Sequence, residues 1–394
     1  MLYLNGRFLT QGLTGVQRYA REMALALAAM PDRPAVTLLV PPGAAGLAPF
    51  AALAPRVVGH ASGQAWEQLE LPWAARDGML LGLGNTGPLL AGSAQAVVVH
   101  DAGIFDTPES YGRAFRLWYR GLQKGLVLRG ARLLTVSRFS AGRLAHHLGV
   151  EPPATLEGGE HILREAADPD VLARHGLAAQ RYALVVGTGA AHKNLAALHA
   201  AMAELRARGL VLAVAGAKDA AVFRVGSDAP GEIRALGRVS DAELHAAMAE
   251  LRARGLVLAV AGAKDAAVFR AGSDAPGEIR ALGRVSDAEL RALYEGALCL
   301  LFPSRYEGFG LPPLEAMWCG CPVIAGRAGA VPEVCGDAAL WFAPEDAHGI
   351  TRALAPLLDD TALHARVAEA GRLRAQRFSW PAAAARLLEL AGEA

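Results

Sequence analysis

The chain has 394 residues, 53% of them hydrophobic, with 39 Lys plus Arg against 38 Asp plus Glu. That length holds two ordinary domains with a sizeable core. So even a charge balance excludes a strongly basic nucleic-acid binder. No apolar run reaches the roughly 18 residues of a membrane span, and Met1–Leu9, short and interrupted by Asn5 and Arg7, does not read as a signal peptide.

From the first residue, short apolar runs alternate with helix-length stretches. Strands are predicted at Met1–Leu4, Val36–Val40, Val57–Val58, Met79–Leu83, Ala96–Val99 and Arg132–Val136. Helices are predicted from the Thr14-Gly15-Val16 turn through Leu27, near Trp66–Ala75, and over Tyr111–Leu128. This alternation implies a mostly parallel sheet covered on both faces. Gly15 sits in a strand-to-helix turn, and His100-Asp101 follows a buried strand, at the end of a sheet where ligands are met. Ser137 is placed as an N-cap. Lys and Arg gather between Arg113 and Arg143, either a solvated helix face or a surface for phosphorylated lipid.

Glu151–Arg181, with Pro152, Pro153, Gly158 and Gly159, reads as a linker. A second alternating region opens with the strand Tyr182–Val186 and the turn Gly187-Thr188-Gly189-Ala190-Ala191-His192-Lys193-Asn194. Glycines after a buried strand point to phosphate contact, with Lys193 as a point charge. The spacing of this turn is neither a Walker A loop nor a Gly-x-Gly-x-x-Gly, which argues against NAD at this place. Residues 199–244 then recur as 245–290, differing only at Val225 and Ala271. The unit carries the strands Leu210–Ala215 and Ile233–Leu236. Two copies are too few for a solenoid, and their near-identity reads as a recent tandem duplication or an error in the sequence.

The stretch richest in chemistry follows. Leu298–Phe302 is a strand, Pro303–Gly310 a glycine-containing turn, and Leu314 onward a helix. Gly308 and Gly310 let backbone approach a ligand, and the helix start favours an anion. Glu307 and Glu315, eight positions apart, repel phosphate but accept hydrogen bonds from sugar or ribose hydroxyls. Phosphate-binding backbone beside hydroxyl-binding carboxylates describes a nucleotide-sugar pocket. Cys299, Cys319, Cys321 and Cys335 lack zinc-site spacing and read as small buried hydrophobes in a reducing, cytoplasmic compartment.

The segment Ser304–Met317, with its Glu-x7-Glu spacing, resembles the signature of retaining GT-B glycosyltransferases of family four, the group 1 glycosyltransferases. Val99-His100-Asp101, Val136–Ser140 and Lys193-Asn194 are also similar to family segments. The resemblance implies an α/β fold of the GT-B type: two Rossmann-like doubly wound domains facing across a cleft, the second enlarged by a tandem-duplicated βαβ segment. Residues 1–165 would form the acceptor-side domain and 166–375 the nucleotide-sugar domain. A final helix over 376–394 would cross back to the first domain, with Trp380 as a packing anchor. Of the two repeat copies, one is expected to keep the sheet positions and the other to pack outside or stay poorly ordered.

The resemblance also assigns roles. His100, Glu307 and Lys193 are the catalytic candidates. His100 meets the donor sugar, Glu307 holds it, and Lys193 meets the diphosphate. Gly15, Asp101, Gly187, Asn194, Val285, Gly308, Phe309, Gly310, Leu311 and Glu315 are the substrate-binding candidates. Glu315 would take the ribose. Val285 lies in a loop expected to contact the base, with Gly237-Arg238-Val239 as its rival. Asp101 would orient His100 or bind acceptor. Trp66-Glu67-Gln68 and Gly84–Pro88 look like acceptor-side elements. The chain departs from the family at His192 and Thr188, where arginines are commoner, and at Glu157–His161, which replaces an Asn-Gly-Val-Asp type turn. The implied reaction moves a sugar, mannose by likeness and so from GDP-mannose, onto a glycan or lipid-linked hydroxyl in polysaccharide biosynthesis. It needs no cofactor or metal and involves no nucleic acid, and the protein would sit at the inner membrane face. The alternatives are a GT-B epimerase, a phosphorylase (for which no cofactor lysine is identifiable) and a non-catalytic nucleotide-sugar-binding subunit.

Overall fold

The computed structural model describes residues 1–187, 190–198, 205, 208–215, 258–260, 278–346 and 348–392. They form two compact units. The first comprises Met1–Pro108, Arg113–His161 and Phe378–Ala394; the second comprises Glu109–Gly112 and Ile162–Arg377.

The first unit is built on six strands: β1 (Leu2–Asn5), β2 (Val36–Val40), β3 (Arg56–Val57), β4 (Met79–Gly82), β5 (Gln95–Val98) and β6 (Arg132–Leu134). Their order is β3-β2-β1-β4-β5-β6, and every pairing is parallel. The central strands read as unbroken apolar runs because helices cover both faces. The winding reverses between β1 and β4, so the loops after those two strands lie side by side, the place where open α/β sheets take ligands.

Helix Gly15–Ala29 buries Tyr19, Met23 and Leu27. The last helix, Trp380–Gly392, belongs to this unit. Its attachment explains the unusual Glu157–His161 segment. Glu160 accepts from the Trp380 backbone N–H at 2.6 Å, and the Trp380 indole donates to Nδ1 of His161 at 3.1 Å. A Cβ on Gly158 would stand 2.3 Å from the Trp380 nitrogen, so only glycine lets the chains pass. Trp380 is thus a packing anchor that is also hydrogen-bonded. Further along, Arg132 donates to the Leu390 carbonyl at 2.6 Å.

The second unit contains β7 (Tyr182–Val186), β8 (Val211–Ala215), β9 (Leu258–Val260), β10 (Glu278–Ala281), β11 (Cys299–Phe302), β12 (Val323–Gly326) and β13 (Leu340–Phe342). The order is β13-β12-β11-β7-β8-β10-β9, again parallel throughout, with the reversal at β7 and β11. Val185, Leu212, Leu301 and Ile324 join Ile350, Leu354 and Leu357 of helix Gly349–Asp359 in its core. All four cysteines are buried free thiols, and burial pushes each above the ordinary thiol range. Among the described residues, no helix is long and apolar enough to cross a membrane.

The repeat does not divide as expected. The first copy supplies β8, beside β7. The second supplies β10, beside β8, and also β9, whose sequence is that of Leu212–Val214, at the outer edge. The two copies therefore share the sheet, and only the surplus strand is displaced. An edge position explains this outcome, since it interrupts no existing ladder. The first-copy strand expected at Ile233–Leu236 lies outside the described residues.

Because the copies match, removing residues 245–290 leaves β8 followed by a segment with the sequence of β10. This variant should unfold cooperatively, within about 5 °C of the parent, when followed by circular dichroism. An aggregated or molten product would show that β9 is structurally required.

Candidate active site

The second unit brings together residues far apart in sequence. Adjacent parallel strands end side by side, so the loops after β7 and β11 meet. Lys193, in the turn Ala191–Lys193 after β7, places Nζ 2.6 Å from Oε1 of Glu307, in the turn after β11. Both side chains are mostly buried, at 17% and 12% exposure. The Lys193 ammonium also lies 5.7 Å from the centre of the Phe302 ring, a cation–π distance. Gly187 ends β7 where a Cβ would touch the Lys193 stem at 3.8 Å. The Arg305 N–H donates to the His192 carbonyl at 2.8 Å and ties the two turns together. Burial holds the His192 imidazole down to about 4, with Lys193 adding to the effect and Glu307 opposing it. His192 is therefore neutral near pH 7, and the charge in this turn rests on Lys193.

Gly310 adopts φ +116°, a conformation that excludes other residues, and opens helix Leu311–Trp318. Its first turn contains Pro312 and Pro313 and therefore offers no N–H at residues 312 and 313, fewer donors than a helix start ordinarily provides.

Asn194 has φ +53°, and its side-chain amide donates to the carbonyls of Pro303 and Pro344, each at 3.1 Å. Its donors are spent on holding the loops, and it serves the site as a clamp. Gly329 is a residue the motif did not reveal. It has φ +60°, and a Cβ there would fall 2.6 Å from the Glu307 nitrogen. Next to it, the Ala330 N–H donates to the Glu307 carbonyl at 3.0 Å. The signal available in the sequence was a glycine just past β12, the neighbour of β11.

Glu315 is 4% exposed, and its Oε2 accepts from the Tyr294 hydroxyl at 3.0 Å. Val285 is half-buried in the loop between β10 and helix Asp287–Gly296, whose start is secured by a capping box of Ser286 and Glu289. The rival loop Gly237-Arg238-Val239 lies outside the described residues.

In the first unit, Gly15 opens its helix with no left-handed φ, and a Cβ there would meet nothing within 4 Å. Nothing within this unit requires glycine at that position. His100 is 6% exposed; its Nε2 lies 2.9 Å from the Leu83 carbonyl. A carbonyl only accepts, so the proton sits on Nε2. Nδ1 faces Glu157 at 3.7 Å, and the Tyr19 ring packs edge-on at 4.6 Å. Asp101 accepts from the Gly103 N–H at 2.6 Å, capping its own turn. The groups found orienting the imidazole are thus Leu83 and Glu157.

The ends of β1 and β4 carry a buried polar cluster. Glu67 Oε1 accepts from Asn5 Nδ2 at 2.6 Å and from Thr86 Oγ1 at 3.0 Å, with Arg7 Nε at 3.2 Å. Arg7 also donates to Thr86 at 2.7 Å. Gln68 donates to the Gly87 carbonyl at 2.9 Å, joining the Trp66–Gln68 and Gly84–Pro88 segments.

Residues 241–374 match the family described as Glycosyl transferases group 1. The O-antigen chain mannosyltransferase B of Escherichia coli is 42% identical over 88 residues, which is 22% of this chain and 23% of that protein. The MMP alpha-(1->4)-mannosyltransferase of Mycolicibacterium hassiacum is 44% identical over 98 residues, 24% of each chain. The matches span about a quarter of the length of these curated relatives.

Likeness to solved structures runs over nearly the whole chain. Sucrose-phosphate synthase from Thermosynechococcus elongatus superposes with a TM-score of 0.65 at 18% identity, covering 99% of this chain and 97% of that one. WaaG, a glycosyltransferase involved in lipopolysaccharide biosynthesis, gives 0.63 at 15% identity, covering all of both chains. Anabaena HepE in complex with UDP-glucose gives 0.64 at 17% identity, covering 98% of each. At such identities the likeness defines the fold. The chain has the fold of these GT-B glycosyltransferases, two parallel-sheet α/β units, and its residues 241–374 are similar to the group 1 glycosyltransferases, mannosyltransferases among them.

Substituting Gly329→Ala would press a Cβ into the Glu307 backbone at a left-handed φ. It should cost about 1–3 kcal/mol of stability and weaken nucleoside diphosphate affinity, read by denaturant unfolding and calorimetry. Unchanged affinity would mean that Glu307 does not depend on this support.

Proposed function

We propose that this protein is a retaining, metal-independent glycosyltransferase. It transfers a sugar, mannose, from a nucleoside diphosphate sugar to a hydroxyl of a glycan or lipid-linked acceptor. The observation that carries this reading is the Lys193–Glu307 pair, held at 2.6 Å in the turn that leads into Gly308–Leu311. A diphosphate brought to this bend meets the ammonium and the backbone donors. Glu307, relieved of part of its ion pair, then accepts from sugar hydroxyls.

As the bond from the anomeric carbon to the diphosphate breaks, negative charge grows on the departing oxygen. Lys193 and the amides stabilise that charge, a contribution typically worth about 2.7–4 kcal/mol per donor. The acceptor oxygen forms the new bond on the face the diphosphate leaves, and its proton passes to the departing phosphate oxygen. Glu307, engaged by Lys193, acts as a hydroxyl acceptor and not as a nucleophile. Glu315 is assigned the ribose and the loop holding Val285 the base. Lys193 with the amides supplies the positive charge that other transferases take from a metal. The acceptor is assigned to the first unit, at the ends of β1 and β4. Mannose, and with it GDP-mannose, is favoured by the names of the relatives that share residues of the second unit.

Incubation with GDP-mannose or UDP-glucose, with and without glycan acceptors, tests the reaction. Glu307→Gln and Lys193→Ala should each lower turnover by about a hundredfold. Donor binding without turnover would favour a non-catalytic subunit. Sugar isomerisation without acceptor would favour an epimerase, and an inverted product anomer would remove the retaining assignment.

Contact with a membrane surface is the second part of the proposal. Helix Arg113–Leu128 carries Arg113, Arg116, Arg120 and Lys124, with no acidic residue. Along it Leu117 is 70% exposed, Trp118 46% and Leu128 85%. Apolar side chains among cations suit the headgroup layer of an anionic bilayer, which supports contact with the cytoplasmic membrane face. Co-sedimentation with phosphatidylglycerol vesicles should be lost in a Leu117→Ser, Trp118→Ser double variant. Equal binding to neutral vesicles would argue against the electrostatic part.

A further inference from the structure

Helix Asp287–Gly296 starts inside the second repeat copy and ends outside it. Asp287–Leu290 is repeat sequence, and Arg291–Gly296 is not. At the place of Tyr294, the first copy is followed by Met248. Tyr294 is fully buried, and its hydroxyl donates to Oε2 of Glu315 at 3.0 Å. Burial and the Glu315 charge push the phenol well above its ordinary range, so the proton stays on the hydroxyl and the group is a fixed donor.

We infer that Tyr294 is a positioning residue that sets the Glu315 carboxylate for the hydroxyls of the donor's ribose. The inference rests on the ribose role proposed for Glu315. A carboxylate buried this deeply requires donors. It has about four lone-pair directions over two oxygens, and its plane rotates about the last side-chain bond. A phenol held rigidly by burial takes one direction and stops that rotation. The remaining directions are then fixed, which a vicinal diol needs in order to be gripped at two points.

The helix after the second copy is the one that can do this, because the residue following the first copy at this place is a thioether without a donor. The repeat thus gives two near-identical strands, but only one continuation that completes the Glu315 side of the pocket. That continuation leads directly into β11 and the bend holding Glu307.

The test compares nucleoside diphosphates with their 2′,3′-dideoxy forms by calorimetry on the full chain, using GDP, UDP and ADP. Wild type should prefer the ribose form of the tightest binder by tenfold or more. Tyr294→Phe should erase most of that preference while leaving dideoxy affinity within about twofold. Circular dichroism should show an unchanged fold. A purely structural tyrosine would weaken both forms equally or neither, and either result overturns the inference. Glu315→Gln separates the two levels. If it leaves the ribose preference intact, the ribose role falls and the inference with it. If Glu315→Gln abolishes the preference while Tyr294→Phe retains it, only the positioning role of Tyr294 falls. Failure of all three nucleotides to bind overturns both.

Discussion

The neighbouring of β7 and β11 is the constraint on which the second unit depends. In a parallel sheet every strand discharges its loop at the same edge, and a reversal in winding leaves two loops with no helix packed between them. Here those loops carry Lys193 and Glu307, which are 114 residues apart and 2.6 Å from each other. A mostly buried ion pair is seldom a net source of stability, because desolvation offsets much of the attraction. What the pair does fix is the place of the Lys193 ammonium, at the turn after β11.

Several features of the surroundings hold this pair in place. Gly329 lets a second turn lie directly against the Glu307 backbone. Asn194 spends its amide donors on two carbonyls from different loops. Burial keeps His192 neutral, so it adds no second charge beside Lys193. Pro312 and Pro313 remove donors from the helix start after Gly310. In the first unit, His100 is similarly fixed, by a backbone carbonyl on one side and Glu157 on the other.

The repeat shows how a sheet absorbs extra sequence. A strand identical to an existing one could in principle take its place, since the ladder does not distinguish the copies. The structure puts the surplus strand β9 at the edge and joins one strand from each copy inside it. Edge addition leaves every earlier pairing intact. The unique residues after the second copy, Tyr294 among them, then select the path into β11.

Much of this was legible along the chain. Apolar runs of strand length marked β1, β2, β4, β5, β7, β8 and β11, because strands buried on both faces have nowhere to carry polar residues. The glycines and prolines around Gly310 marked the bend, and the spacing of Glu307 and Glu315 marked them as a pair. Short β13 escaped notice, since three residues leave no periodicity to read, while β9 followed from the repeat of Leu210–Ala215 but its edge place did not. Gly329, Tyr294 and Glu157 also escaped, as did the split of the repeat between sheet positions. Local pattern sets which segments become strands and which turns admit a ligand. Which loop faces which, and whose carboxylate meets whose hydroxyl, follows from strand order, and strand order is settled by packing across the whole sheet.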